Sequence, residues 1–216
     1  CLLRQHNLRL WIQKLNADMQ PSADFRIPLT TEYDPLQPLL DRLHITTYDL
    51  LLVADGSGNA WDKACGWAGI LIDRQTRGRR VCYGAVNQGS ISFAETLPYL
   101  HLLSWFDQHY GKERLQSLGS LNVHIVTDSQ VVANWGTAAM SPSAPIPRKQ
   151  CVFWAAMRHL RSLGYVCKFH WAPRLSTELN WMADMIAGLA RVAMLDLPGT
   201  QNIDSLTLGQ RAAIAI

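Results

Sequence analysis

From about residue 48 onward the chain is divided into short stretches, each with its own hydrophobic period. Tyr48 to Asp55, YDLLLVAD, is a nearly unbroken apolar run of strand length that ends on a carboxylate, the pattern of a strand buried on both faces. CGWAGILID (65–73) and RRVCYGAVN (79–87) predict two more strands, and the polar RQTRGR between them predicts a hairpin turn. Three consecutive antiparallel strands are therefore expected. In SFAETLPYLHLLSWFDQHYG the apolar positions Phe93, Leu97, Leu100, Leu103 and Phe106 follow a helical spacing, with Pro98 in the early turns and Gly111 as the expected stop.

LNVHIVTDSQVVANW then predicts a strand over 122–127 and a short helix opening at Asp128 or Ser129, followed by the turn-rich TAAMSPSAPIPRKQ. CVFWAAMRHLRSLG predicts an amphipathic helix ended by Gly164, YVCKFHWAP a strand ended by Pro173, and TELNWMADMIAGLARVAML a last helix. The order of three strands, helix, strand, two helices, strand and helix is an α/β layer design, a mixed five-stranded sheet flanked by helices. Residues 1–47 combine a helical spacing (Leu8, Leu10, Trp11, Leu15) with the Pro-punctuated QPSADFRIPLTTEYDPLQPLL. They are expected to be an extension or linker ahead of a domain over 48–193, with 194–216 as a tail.

Composition narrows the picture modestly. With 216 residues, 48% of them hydrophobic, the chain can bury one sizeable core, and a net charge of +3 is too small to argue for a polyanionic partner by itself. The five cysteines, at 1, 65, 82, 151 and 167, form no CxxC pair, which points to an intracellular, reducing setting such as cytoplasm or nucleoid rather than to a disulfide framework. The opening CLLRQHNLRLWIQ is broken by Arg4, Gln5, Asn7 and Arg9, so it lacks the apolar run of a signal peptide or membrane span and no membrane partner is expected. A first residue other than Met reads as a fragment or processed product of something longer.

Four acids stand out by position: Asp55 at the end of the first strand, Glu95 in the first turn of the first helix, Asp128 at the end of the fourth strand, and Asp184 in the last helix. If the first and fourth strands are parallel neighbours, Asp55 and Asp128 emerge side by side at their carboxyl ends, where ligand crevices form in such sheets. Oxygen donors of this kind suit Mg²⁺, or Mn²⁺ in its place, and a pair of ions about 3.5–4 Å apart can serve phosphodiester hydrolysis. Without metal, four acids packed together repel one another, which raises some of their pKa values.

ADGS, FAET, TDSQ and NWMAD resemble, in order, the four acidic motifs of the ribonuclease H family, and the resemblance spans about Tyr48 to Val192. It implies the fold of that family and a metal-dependent endonuclease that cuts the RNA strand of an RNA/DNA hybrid, leaving 3′-hydroxyl and 5′-phosphate ends. It further implies that Asp55 bridges two Mg²⁺ ions, that Glu95 and Asp128 hold the ion near the nucleophilic water, and that Asp184 holds the ion near the scissile phosphate. The implied partner is the hybrid, with a larger parent polypeptide or polymerase as a second. The backbone at Gly56 and Ser57, together with Asn87, Gln88 and Ser92, are candidate readers of the 2′-hydroxyls that separate RNA from DNA.

The chain departs from the family pattern in two places. The mobile His of many members is matched only by His170, which falls on the strand, far from Asp184. Other branches show a PR pair in this region, matched by Pro173 and Arg174, and the always-charged guanidinium suits a phosphate. The basic protrusion of many relatives is reduced to a loop ending in Arg148 and Lys149, the expected local contacts to the substrate backbone. Trp105, Trp154 and Trp181 fall on helices at apolar spacing and are expected in the core, and Arg74, Arg77, Arg79 and Arg80 are expected to be a solvated hairpin turn. Two alternatives remain: a DNA nuclease of resolvase or transposase type on a related fold, and a non-catalytic scaffold module of a larger nucleoprotein.

Overall fold

A computed structural model describes residues 36–58, 64–87, 90–145 and 151–195. At its centre lies β1 (Leu50–Gly58), whose apolar run is buried on both faces: Leu50, Leu52 and Ala54 enter one core cluster, while Leu51 and Val53 enter the other. This is why the strand reads as continuous rather than alternating. β2 (Ala64–Asp73) pairs antiparallel with β1, and β3 (Arg79–Asn87) antiparallel with β2. On the other side, β4 (Leu121–Thr127) pairs parallel with β1, and β5 (Tyr165–Trp171) parallel with β4. The sheet order is β3-β2-β1-β4-β5, the expected mixed five-stranded arrangement.

The helical stretch after β3 differs from its expected form. It is divided into a single turn, α1a (Ile91–Ala94), and a long helix that begins at Leu97, passes through a wide π turn at Asp107–Gly111 and ends at Leu118. Gly111 does not stop it; its φ is helical, and its missing side chain leaves room for the Tyr165 hydroxyl, which donates to Asp107 Oδ1 at 2.8 Å. The stop is Gly119, in the left-handed region at φ 72°. The remaining helices are Gln130–Ala139, capped by the Ser129 hydroxyl, then Cys151–Leu163, and finally Glu178–Leu195. Gly164, at φ 108°, ends the second of these as expected.

A helix over Leu36–Arg42 lies within the stretch expected to be a linker, and Leu36, Leu39, Ile45 and Tyr48 are buried against β1 and the last helix. The helical spacing at Leu8–Leu15 and the tail beyond 195 lie outside the described residues. In the hairpin between β2 and β3 the arginines are not all solvated. Arg80 lies over the Trp105 ring at 3.7 Å and Arg74 over Tyr48 at 5.8 Å, while Arg77 occupies a left-handed turn position. Among the described residues, no helix is long and apolar enough to cross a membrane.

The last helix turns small residues inward. Ala183, Ala187 and Ala190 are buried, and Gly66 on β2 lies so close that a Cβ there would strike the Ala187 carbonyl and the Arg191 amide. Its outer pole carries Trp181, Met185, Leu189 and Val192, all exposed, so Trp181 is not the core residue its spacing suggested. Trp154 is buried and Trp105 packs against the core, as expected. Because the atoms facing Gly66 are backbone and cannot rotate away, Gly66→Ala is expected to destabilise the domain by about 1–3 kcal/mol, the usual scale for overpacking. A denaturation midpoint matching the wild type would show that the helix shifts freely.

Candidate metal centre

The parallel ladder between β1 and β4 ends at Val53 and Val126, yet β1 runs on to Gly58 paired only with β2. Asp55 therefore does not end its strand. It ends the shared ladder, two residues past the last pair, at the point where β1 and β4 separate. Asp128 directly follows β4, so both carboxylates open into the same crevice. Glu95 caps α1a rather than lying in the first turn of the long helix, and it reaches the crevice because Gly56 lets it: a Cβ on Gly56 would lie 2.6 Å from Glu95 Cγ and 2.8 Å from its amide nitrogen. Gly56 thus has a steric task that its sequence position did not disclose.

Asp55, Glu95 and Asp128 each offer an oxygen within 4.8 Å of the other two. Asp55 and Glu95 are only 5% and 7% exposed, and Asp55 Oδ2 and Glu95 Oε2 are buried with no hydrogen-bond partner. Burial, then the charges of Asp128 and Asp184, pushes Asp55 up to about 8, against the donated hydrogen bond from the Gly56 amide at 2.8 Å. Glu95 is pushed up to about 7, chiefly by burial, with a hydrogen bond from Ser129 opposing it. Asp128 is also raised by burial, and Arg174 and a hydrogen bond with Asp55 counter the rise. An all-oxygen donor set with unpartnered buried atoms fits a hard divalent cation such as Mg²⁺.

Asp184 stands at the rim. Its charge helps to raise Asp55, and it forms an ion pair with Arg174, whose side chain is 61% exposed. Its helix is anchored just before it: Thr177 Oγ1 accepts the Asn180 amide and donates to Asn180 Oδ1 at 2.6 Å, a buried cap. Of the two candidate cations and bases, the structure brings Arg174 to the acids. His170 is turned elsewhere, its ring stacked on His124 at 4.9 Å with a 2.9 Å contact between their nitrogens. Burial lowers the pKa of both histidines.

Of the candidate substrate readers, Gly56 is buried and Ser57 half-buried beside Gly188 of the last helix, while Ser92 is half-buried on α1a. Asn87 ends β3; its side chain, like all of Gln88, Arg148 and Lys149, lies outside the described residues. Two residues around the acids were not singled out from sequence. Ser129, recognisable as a helix cap, also bonds Glu95, and Trp171, exposed at the end of β5, donates its indole N–H to the Asp128 carbonyl at 2.8 Å. No local pattern distinguishes that tryptophan from the other seven.

Neither a family model nor a curated protein matches the chain. Solved structures do. The chain is similar to LC11-RNase H1 in complex with an RNA/DNA hybrid, with 16% identity and a TM-score of 0.54 over 68% of this chain and 99% of that one. It is also similar to the structure of LC11-RNase H1 isolated from compost by a metagenomic approach, with 15% identity and a TM-score of 0.53 over 69% of this chain and 100% of that one. At these identities the likeness establishes the fold, which is RNase H-like.

The raised acids give a signed pH dependence in metal-free buffer. Between their ordinary values (3.8 and 4.5) and their folded values (about 8 and 7), Asp55 and Glu95 hold protons in the folded state that the unfolded chain has lost, so stability falls as pH rises through that window. His101 and His124, lowered from 6.5 to about 4 mainly by burial, act in the opposite sense below pH 6.5. Stability is therefore expected to fall between about pH 6.5 and 8, and either saturating Mg²⁺ or Asp55→Asn should flatten that limb. Urea midpoints across this range measure it, and a limb unchanged by both alterations would show that the acids are not the cause.

Proposed function

We propose that this chain is a divalent-metal-dependent endonuclease that hydrolyses the RNA strand of RNA/DNA hybrids, leaving 3′-hydroxyl and 5′-phosphate ends. The observation that carries this reading is the trio Asp55, Glu95 and Asp128, clustered within 4.8 Å and holding buried, unpartnered oxygens where β1 and β4 separate. The fold shared with a ribonuclease H1 captured on an RNA/DNA hybrid supports the choice of substrate. Bound at these acids, Mg²⁺ or Mn²⁺ would neutralise their mutual repulsion, activate water at neutral pH and stabilise the leaving oxygen of a phosphodiester.

The chain's own residues have separable tasks in this reading. Asp55 is the central ligand, because it lies in the acid cluster with Glu95 and Asp128 and also feels the charge of Asp184. Glu95 closes the site from the helical layer, and Asp184 completes it from the last helix once Arg174 gives it up. Arg174 then has an exposed, planar, permanently charged fork, suited to a phosphate oxygen. His170, paired with His124, has no part in the step. Ser57 and the backbone of Gly56 lie beside the acids, where a ribose hydroxyl adjoining the cut would fall, and they remain the proposed readers with Asn87, Gln88 and Ser92. Arg148 and Lys149 are proposed to hold the substrate backbone, and a larger parent polypeptide would add to that grip.

Asp55→Asn and Asp128→Asn are each expected to lower kcat on a labelled hybrid by at least about 10²-fold, the scale for removing one group that stabilises developing charge. Neither should unfold the domain, since each removes a repelling charge and leaves the packing in place. Near-normal cleavage by either variant with Mg²⁺ alone would remove the metal-centre reading. Duplex DNA, offered beside the hybrid, should be left intact; equal cutting of both would favour a resolvase-type nuclease. Absence of any cleavage by a folded, metal-binding wild type would favour a scaffold module.

A further inference from the structure

We infer that Trp171 is a positioning residue for the metal centre, acting through the main chain of Asp128. This inference rests on the metal-centre reading above and adds to it a residue whose side chain carries no charge and touches no acid group. The indole N–H donates to the Asp128 carbonyl at 2.8 Å across the ends of β5 and β4. The ring itself is 46% exposed, so burying apolar area does not explain why a tryptophan stands there. What it contributes is an N–H donor aimed at that carbonyl.

That donor sits where the main chain needs one. β4 ends at Thr127 and the next helix begins at Gln130, so only Asp128 and Ser129 join them. Thr127 is tied on both sides: its carbonyl accepts the Ala172 amide at 2.9 Å, and its hydroxyl accepts the Ser129 amide at 3.1 Å. Ser129 is tied as the helix cap, its hydroxyl accepting the Val132 amide at 3.4 Å and its carbonyl the Ala133 amide at 2.9 Å. The peptide between Asp128 and Ser129 is thus held at both ends, its amide by the Thr127 hydroxyl and its carbonyl by the Trp171 indole. Losing the bond to the carbonyl would loosen the two-residue link that carries Asp128 and let its carboxylate drift from the trio. A charged carboxylate repelled by its neighbours would then do so readily in the metal-free protein.

The test compares wild type, Trp171→Phe and Trp171→Ala by Mn²⁺ titration calorimetry and by hybrid kinetics, with Asp128→Asn as background. Trp171→Phe keeps the ring and loses only the donor. It is expected to weaken Mn²⁺ binding about 3- to 10-fold and to lower kcat at saturating Mn²⁺ less than at limiting Mn²⁺, with KM for the hybrid unchanged. On the Asp128→Asn background the same change should have no further effect on Mn²⁺ binding, and in the wild type the indole N–H resonance should shift when Mg²⁺ is added. Unchanged metal affinity in Trp171→Phe overturns the inference. A raised KM in Trp171→Ala with normal metal affinity also overturns it, by making the ring a substrate-stacking surface. Normal Mn²⁺ binding with the coupling to Asp128 intact, but no cleavage of hybrids, would sink the proposed activity and leave this inference standing; a wild type that binds no Mn²⁺ would sink both.

Discussion

Three carboxylates held within 4.8 Å of one another, two of them almost without water, form the constraint to which the rest of the structure is fitted. Burial, and then like charge at that separation, keeps these carboxylates from all being ionised without a compensating cation, and this is why Asp55 and Glu95 are raised so far. The fold supplies the crowding in three independent ways. The parallel ladder stops two residues short of Asp55, the absence of a side chain at Gly56 admits Glu95, and a helix lined inwardly with alanines brings Asp184 against β1. Removing any one of these would relax the acids.

Most of the framework was legible in the sequence because it rests on burial. Strands covered on both faces read as unbroken apolar runs, and the helices over them as 3.6-residue spacings, so the mixed five-stranded sheet and the antiparallel β1–β3 within it could be anticipated, while the place of β5 was not. The errors lie where a tertiary partner overrides a local signal. Gly111 looks like a stop but serves the approach of Tyr165 to Asp107, and the helix passes on to Gly119. Leu36 and Leu39 look like part of a linker, yet they fill the space between β1 and the last helix. Trp181 keeps helical spacing with Met185, Leu189 and Val192 on the outer face, opposite the core alanines, because a pattern of large residues alone does not say which face of a helix is turned inward.

The acids were legible for a different reason: a carboxylate at the end of a buried apolar run has no cheap explanation unless something compensates it. Their supports were not. Ser129 has the appearance of an ordinary cap, Gly56 of a flexible turn residue, and Trp171 of one aromatic among several. Each acts through a residue distant in sequence, on Glu95 or Asp128, and no local pattern encodes such a contact. Between Arg174 and His170 the sequence could offer only a preference. The structure separates them, because His170 lies on the strand face where His124 awaits it, whereas Arg174 follows the strand and is free to turn back to Asp184.

The two ends of the sheet treat the same residue type in opposite ways. At the amino end of β1, Asp49 accepts the Asn122 amide at 2.7 Å, while Asp73 accepts the Arg114 guanidinium at 2.6 Å and also closes the hairpin through Gln75 and Thr76. Those acids are satisfied and hold the strands in register. At the carboxyl end the acids are crowded, partly unpartnered and proton-hungry, and among the described residues only the exposed Arg174 offers them positive charge. A sheet pinned at one end can tolerate repulsion at the other without losing register, since slipping by one residue would reverse every buried side chain of β1. The strain is thereby confined to the crevice, and in the proposed function a divalent cation would relieve it there, drawn by the same repulsion that weakens the metal-free fold.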